Sequence, residues 1–388
     1  MRDHQVQVRL LSALLAAAAL SAPAAAKVAF TGYGSFTFTP EGTFQIYGPA
    51  SVIGTLPEGP TRIRAFALDS VGLFATTKVG EDSDFLMDLN FRSIGATVGE
   101  LRVQYAYLDT GLPWEARLKA GKVTLPLGYL NTRRFYPFQR VELSPPTFVS
   151  GILGLPIADI GGIVSRRFPA GDYGLDMKVF GVNGYGSIPG STGTFRSAGT
   201  PGGLGIARNL GSANNNRDLA VGGQLALNKG GTDDELGASY YRGAWDPSGD
   251  RLLQIAMAHL HLTPEKFDIL AEYLHMNVTG DEGMFKSFGR PDWHTDGGFL
   301  DVSRPVGSVA GKPLLGYGRG EAYFSGANDG SGGHEIMRVL AGGLNLRVNE
   351  SIVWKGELLW LEYRVPLAAA KSVVLAGHTA QLGLVITF

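Results

Sequence analysis

Short segments in which apolar and polar residues alternate recur along almost the whole chain. Residues 85–92 read Phe-Leu-Met-Asp-Leu-Asn-Phe-Arg, and comparable alternation occurs at 100–107, 175–179 and 267–273. A period of two places successive side chains on opposite faces of a β-strand, so each such segment has one apolar and one polar face. The repetition predicts an all-β protein whose strands separate an apolar environment from an aqueous one.

Sixteen segments fit this strand pattern, and most reach the ~9–11 residues that a tilted strand needs to cross a bilayer. They cover residues 27–38, 64–78, 84–95, 98–109, 114–127, 159–168, 171–184, 217–228, 234–246, 250–262, 266–278, 296–305, 313–326, 335–348, 350–364 and 375–388. Two segments leave the count open, because 296–305 is poorly patterned and Thr43–Ile53 could form a further strand. The phase break within 350–364 predicts either a β-bulge near Leu358–Leu359 or a wrongly assigned strand.

The connections between these segments alternate in length. Every second connection is short and rich in Gly, Pro or polar residues, as expected of tight turns: Val79–Ser83, Thr110–Pro113, Pro169–Ala170, Lys229–Asp233, Thr263–Glu265, Val306–Lys312 and Asn349. The long connections, 39–63, 128–158, 185–216 and 279–295, all fall in the other phase. A soluble sandwich has no reason to sort its connections in this way, whereas a barrel with turns at one rim and loops at the other does.

Beyond residue 26, no run approaches the ~18 continuous apolar residues of a membrane-spanning helix. Only helices and closed barrels satisfy all their backbone polar groups in lipid. If the chain lives in a membrane, residues 27–388 must therefore form a transmembrane antiparallel up-and-down β-barrel, most simply of 16 strands, since single-chain bacterial barrels have even strand numbers. A composition with 55 Gly and only 18% charged residues fits this class, and a secreted soluble β-protein is the alternative.

The first 26 residues predict a secretory signal peptide. Arg2 and Arg9 precede an apolar run at 10–20, and Ala24–Ala26 supplies the small residues of a cleavage site. The apolar run is too short for a spanning helix. Without this segment, 32 basic residues face 34 acidic ones, which excludes a nucleic-acid binder driven by bulk charge.

Three stretches carry a resemblance to a known family. The first is Gly121-Lys122-Val123-Thr124-Leu125-Pro126-Leu127-Gly128, followed by Asn131, two arginines and Pro145–Pro146; the second is Leu344–Asn349 with Lys355-Gly356-Glu357; the third is the last eight residues, which alternate and end on Phe388. The chain resembles porins of Gram-negative bacteria, which include the phosphate-selective type. Its sequence lacks the dense lysine array of a phosphate-selective channel, so that specificity is not carried over.

The resemblance implies that a long third external loop folds into the barrel and narrows it. Residues 128–158 fit this role of constriction loop, with five aromatic residues and three arginines; a loop lying over the rim is the alternative. The predicted pore-lining residues are Arg133, Arg134, Arg140 and Glu142 of this loop, together with Arg92, Arg102, Arg117 and Lys119 on three consecutive strands of the inner wall. Basic rings favour anions, although Asp88, Glu100 and Glu115, on the same predicted face, could neutralise much of that charge.

These observations predict an outer-membrane porin for passive diffusion of small hydrophilic solutes or ions, with weak anion selectivity and without a cofactor. The resemblance further implies contact with outer-membrane lipid and lipopolysaccharide, recognition of Phe388 by the barrel-assembly machinery, and a homotrimer. The alternative function is an outer-membrane barrel enzyme, a protease or phospholipase. The sequence contains no Gly-x-Ser-x-Gly or His-Glu-x-x-His motif. His259 and His261, with His275 across the predicted hairpin, are interpreted as polar strand residues rather than metal ligands.

Overall fold

The computed structural model describes residues 28–47, 61–94, 98–147, 157–184, 218–245, 248–279, 292–327, 334–366 and 372–388. They form β1 (Ala29–Tyr47), β2 (Thr61–Lys78), β3 (Ser83–Ile94), β4 (Val98–Gly111), β5 (Arg117–Thr124), the short helix α1 (Leu130–Arg133), β6 (Ala158–Ala170), β7 (Tyr173–Val182), β8 (Ala220–Lys229), β9 (Glu235–Ala244), β10 (Leu252–Leu262), β11 (Asp268–Val278), β12 (Trp293–Val309), β13 (Lys312–Ala327), β14 (Glu335–Arg347), β15 (Ile352–Pro366) and β16 (Ser372–Thr387). The predicted signal peptide lies outside the described residues.

The sixteen strands form one closed antiparallel barrel in which each strand pairs with its neighbours in sequence. The barrel closes between β1 and β16, where Gly32 and Phe388 exchange two backbone hydrogen bonds of 2.8 and 3.0 Å. The predicted fold class and strand number are confirmed. Among the described residues, no helix is both long and apolar enough to cross a membrane.

The sorting of the connections is also confirmed. All seven connections at the rim near the chain ends are turns of two to five residues, from 79–82 between β2 and β3 to 348–351 between β14 and β15. This rim is called the turn rim below, and the opposite one the loop rim. The outer surface is apolar, with large exposed side chains such as Leu300, Leu340 and Leu382. The alternation in the sequence therefore corresponds to the outside and inside of the barrel.

Three details of the strands differ from the predictions. Thr43–Tyr47 is not a separate strand but continues β1 beyond a register shift at Phe38/Glu41. β15 pairs with both neighbours without any register shift, so the predicted bulge at Leu358–Leu359 is wrong. β5 begins only at Arg117, because Glu115 adopts a left-handed φ of 57° in the preceding turn; it does not belong to the inner wall.

A bulge changes which residues of β4 face inward. The β3–β4 register shifts where Asp88 pairs with Tyr105 and Leu89 pairs with Val103, so β4 carries one extra residue. Arg102 faces the interior before the bulge, and Tyr105 and Tyr107 face it afterwards. The alternation at 100–107 predicts that both tyrosines share the apolar face with Leu101, and the bulge makes this prediction wrong.

The inner wall is not uniformly polar, as a simple water-filled barrel would require. On β10 to β14 it carries a buried apolar cluster that includes Leu253, Ile255, Leu270, Leu274 and Met276. This cluster packs against apolar residues that follow β5, namely Leu125, Leu127 and Leu130. The apolar residues belong there because a chain segment, rather than water, covers this part of the wall.

Candidate functional site

The segment between β5 and β6 enters the barrel interior. Its described part, residues 125–147, is called the inward segment. It begins where Leu125, Leu127 and Leu130, all buried, join the apolar cluster. Asn131 fixes its base by donating hydrogen bonds to the carbonyls of Leu125 and Ile157, at 2.8 and 3.1 Å. The start of the segment is thereby held against its own return strand.

Strands β8, β9 and β11 bind the first turn of the inward segment. The Glu272 carboxylate on β11 accepts the backbone N–H groups of Tyr129 and Leu130 at 2.8 and 2.5 Å. Gly128 donates to the Ser239 hydroxyl and accepts from the Gln224 amide, both at 3.0 Å. Gly128 has a φ of 69°, and a side chain at this position would collide with the Glu272 carboxylate. A glycine is therefore required where the segment meets this wall.

Strands β13, β14 and β15 bind the second half of the inward segment. The Lys355 ammonium donates to the carbonyls of Pro137, Arg140 and Glu142 at 2.6–3.1 Å. Further hydrogen bonds hold the same half of the segment. Ser144 donates to the Glu357 carboxylate, and its carbonyl accepts from Arg319. Asn345 donates to the Val141 carbonyl, and the backbone N–H of Thr147 donates to Glu321. Wall side chains thus replace the backbone partners that an irregular segment lacks.

The middle of the inward segment contacts the opposite side of the barrel. Tyr136 donates its phenolic hydrogen to Asp88 on β3, and its ring packs against Tyr33 on β1, Phe74 on β2 and Phe138. In a ring of sixteen strands, β3 is opposite β11. A segment joined to both can do so only by crossing the interior.

Two adjoining cavities remain beside the inward segment. The first, of about 320 Å³, is lined by β1, β2 and β4 and includes Asp69, Arg102 and Arg140. The second, of about 400 Å³, is lined by β4 to β7 and includes Lys119, Arg133, Asp176 and Lys178. The cavities share the lining residues Gln104, Phe135, Tyr136 and Ile157. On β4, which runs from the loop rim to the turn rim, Arg102 lies closer to the loop rim and lines the first cavity. Tyr107 lies closer to the turn rim and lines the second cavity.

Seven of the eight predicted pore-lining residues have described side chains, and these occupy three kinds of position. Arg102 and Arg140 line the first cavity, and Lys119 and Arg133 line the second. Arg117 is exposed and binds Asp109 at 2.8 Å, and it lines neither cavity. Arg134 binds Asp268 and His261, while Glu142 is fully buried within the anchors of the inward segment. Arg92 lies on β3, and its side chain is outside the described residues.

Arg140 keeps a positive charge in the inward segment although its side chain is buried. Desolvation lowers the pKa of the Arg140 guanidinium to about 10, which still leaves it charged at neutral pH. Its nearest hydrogen-bond acceptors are the carbonyls of Phe135 and Leu143, at 2.9 and 3.3 Å. The first cavity therefore contains a fixed positive charge that carbonyls of the segment itself bind and that the Glu142 and Glu357 carboxylates attract.

Sequence reasoning omitted several residues that the structure brings to the cavities. Lys178 and Asp176 share the polar face of β7, so extending the same alternation by two strands would have found them. Tyr105 and Tyr107 depend on the bulge in β4, which no residue pattern in that strand indicates.

The histidines have structural partners. His259 contacts Glu235 at 2.9 Å, and His261 contacts Asp268 at 3.3 Å, with the Tyr129 ring packed beside both imidazoles. His275 pairs with Ala256 and points to the outer face, where it binds Asp296 at 2.8 Å. No group of three or more potential ligands that could hold a metal ion occurs in the described part of the chain.

Solved structures of outer-membrane channels have the same architecture. An anion-selective porin from Comamonas acidovorans superposes with a TM-score of 0.55 at 12% identity, covering 94% of this chain and 100% of its own. The outer-membrane channel DcaP of Acinetobacter baumannii gives 0.54 at 13% identity, covering 95% and 99%. The fold is that of outer-membrane porins.

A third structure, the trimer form of the outer-membrane protein OmpT of Vibrio cholerae, gives a TM-score of 0.50 at 11% identity, covering 94% of this chain and 100% of its own. No protein-family model and no curated protein matches the sequence. The resemblance stated from sequence motifs is confirmed at the level of the fold, and the outer-membrane localisation predicted from the sequence agrees with these neighbours.

Proposed function

We propose that the protein is an outer-membrane channel through which small hydrophilic solutes and ions diffuse passively, with a weak preference for anions. The observation that carries the proposal is the pair of adjoining cavities within a closed barrel. Among the described residues, five basic side chains (Arg102, Arg140, Lys119, Arg133 and Lys178) and two acidic ones (Asp69 and Asp176) line them. Fixed charge of one sign in a narrow, low-dielectric passage raises the local concentration of the opposite ion.

Several ion pairs limit the strength of this preference. Lys119 lies 3.9 Å from Asp109, and Arg133 lies 3.4 Å from Glu235. In each pair the carboxylate weakens the attraction of the basic side chain for an anion, because its negative charge lies at short range. A weak anion preference follows, rather than exclusion of cations.

The inward segment acts as the constriction loop in this proposal. Its anchors to β11 and β15 on one side and to β3 on the other support this role, since they hold residues 128–145 across the solute path. A fixed obstruction restricts passage by size without any energy source or cofactor.

We propose three kinds of partner for the protein: the barrel-assembly machinery, outer-membrane lipid with lipopolysaccharide, and further copies of the same chain. The exposed Phe388 side chain on the outer face, beside the β1–β16 closure, supports recognition by the barrel-assembly machinery. The apolar outer surface supports contact with outer-membrane lipid and lipopolysaccharide. A homotrimer is proposed by analogy with the trimer form of the Vibrio cholerae protein.

Planar-bilayer recordings in a KCl gradient test the channel proposal. We expect stepwise ion-carrying openings whose reversal potential indicates a modest excess of chloride over potassium permeability. Lys119→Gln should move the reversal potential toward zero selectivity, because the side chain lines the second cavity. Lys312→Gln is the control, since it removes an exposed lysine that lines neither cavity. Absence of openings, or strong cation preference, would refute the proposal.

The same preparation tests the enzymatic alternative. The purified barrel should not hydrolyse peptide or phospholipid substrates, and His259→Gln and His261→Gln should alter stability rather than any turnover. Hydrolysis that one of these substitutions abolishes would favour the enzyme.

A further inference from the structure

The second cavity contains a cation whose hydrogen-bond partner is neutral. The Lys178 ammonium donates to the Gln224 amide oxygen at 2.7 Å, and among the described residues no carboxylate lies within 4 Å of it. Among the described residues, Asp176 is the only acidic one that lines this cavity, and it is engaged by Asn228 at 3.0 Å and by Arg167 at 3.7 Å. Asp176 is thus already engaged by other side chains, whereas the hydrogen bond of Lys178 goes to a neutral amide.

Two further cations converge on the same cavity. Lys119 and Arg133 line it from β5 and from α1. Each carries its own carboxylate partner, but those partners, Asp109 and Glu235, do not line the cavity. The three cations therefore present their positive charge to the cavity space, and the opposing carboxylates lie behind them.

Aromatic rings form another part of the cavity lining. Tyr105 and Tyr107, with ring centroids 5.4 Å apart, line it from β4, and Phe135 lines it from the inward segment. Lys119 lies 5.0 Å from the centre of the Tyr107 ring, so charge and aromatic surface adjoin. Small-molecule sites commonly combine apolar and aromatic walls with a few convergent polar groups in ~300–1,000 Å³. The second cavity, at about 400 Å³, has these properties.

We propose that the second cavity is a binding site for small organic anions, in which a carboxylate binds near Lys178 and a planar apolar body lies against Tyr107 and Phe135. This inference rests on the proposed channel function and narrows its solute class. A solute with both features makes two kinds of contact at once. A solute with only one feature makes a single kind and binds more weakly.

Transient block of the ion current by three probes tests the site. Benzoate combines the carboxylate with a ring, acetate has only the carboxylate, and benzamide has the ring without the charge. In the wild type we expect benzoate to interrupt the current at a concentration at least tenfold below the concentrations that acetate and benzamide require. Lys178→Gln should weaken the benzoate block by about tenfold, and Lys178→Arg should restore most of it.

Two variants separate the contributions. Tyr107→Leu keeps every cation and should weaken the benzoate block while leaving acetate unchanged. Lys312→Gln is the control, because this exposed residue at the start of β13 lines neither cavity, and it should leave the benzoate block as in the wild type.

The outcomes distinguish this inference from the channel proposal. Openings in KCl together with equal block by benzoate and acetate, or a benzoate block unaffected by Lys178→Gln, would overturn the binding site and leave the channel standing. If the wild type shows no openings, the channel proposal fails. Thermal stabilisation of the detergent-folded barrel by benzoate, lost in Lys178→Gln, would then still support the site, and its absence would overturn the site too.

Discussion

The phenolic hydroxyl of Tyr136 donates a hydrogen bond to the carboxylate of Asp88, on the strand opposite the one that carries Glu272. This contact joins the middle of the inward segment to β3, while Glu272 and Lys355 hold its two ends to β11 and β15. The segment is therefore fixed at three points around the barrel, and each point can be removed separately.

Removal of the Tyr136 hydroxyl should loosen the crossing without unfolding the barrel. A hydrogen bond to a charged group contributes about 1.5–3 kcal/mol, so Tyr136→Phe should raise the population of displaced segment by at least about tenfold. Single-channel recordings should show larger open-state current noise, and the variant should unfold at a somewhat lower temperature than the wild type. Tyr240→Phe, on the exposed outer face, is the control. Equal noise in both variants would contradict the role of the Tyr136 contact.

Phe135 separates the two cavities, so its truncation should connect them. Its ring lines both cavities and packs at 5.1 Å against Tyr136. Phe135→Ala should raise the single-channel conductance and admit larger neutral sugars in liposome swelling, with little change in reversal potential because the basic residues remain. Phe138→Ala removes a ring of equal size from the same segment, but one that lines neither cavity. A similar gain in both variants would mean general loosening of the segment instead.

Lys355→Met should destabilise the barrel because two buried carbonyl oxygens and one partly buried carbonyl oxygen lose their donor. An unsatisfied buried polar group costs about 1–3 kcal/mol, so we expect a clear fall in the guanidinium midpoint, measured by heat-modifiable gel mobility. Lys312→Met, in the exposed chain at the start of β13, should leave the midpoint unchanged. New protease cleavage near residues 137–142 in Lys355→Met would confirm release of the segment.

Asp234, in the turn between β8 and β9, should make stability depend on pH. Its carboxylate accepts hydrogen bonds from the backbone N–H and the hydroxyl of Thr263, at 2.7 and 3.0 Å, and these lower its pKa. A pKa lowered by folding stabilises the protein above the unfolded value, and this stabilisation disappears as the pH falls through the folded pKa. Asp234→Asn should therefore unfold at a lower temperature than the wild type at neutral pH. In strong acid the two proteins should unfold at the same temperature. Asp233→Asn, in the same turn, is the comparison; a pH-independent difference would contradict the assignment.

The alternation of residues was sufficient to predict the barrel, because the outer face of every strand must be apolar to lie in lipid. The sorting of turns and loops then followed from chain geometry. The strand ends were less predictable: Glu115 was assigned to a strand, yet its left-handed backbone places it in a turn.

The inner face was harder to predict than the outer one. Lipid imposes a single rule on the outside, whereas the interior can contact water or protein. Leu270 and Met276 face inward because the inward segment covers them, and a sequence pattern alone cannot show which part of the wall that segment meets. The same limit explains why Arg117 and Lys119, identical in pattern, differ in the structure, with only Lys119 at a cavity.

The pairing of β1 with β16 joins the two ends of the described chain. Contacts of such sequence separation carry a large loop-closure entropy and slow the folding of the sheet. Until the last strand is present, β1 and its growing neighbours have an unpaired edge that can pair with other chains. We therefore expect a chain with a shortened β16 to aggregate through the unpaired edge of β1 rather than to form a leaky channel.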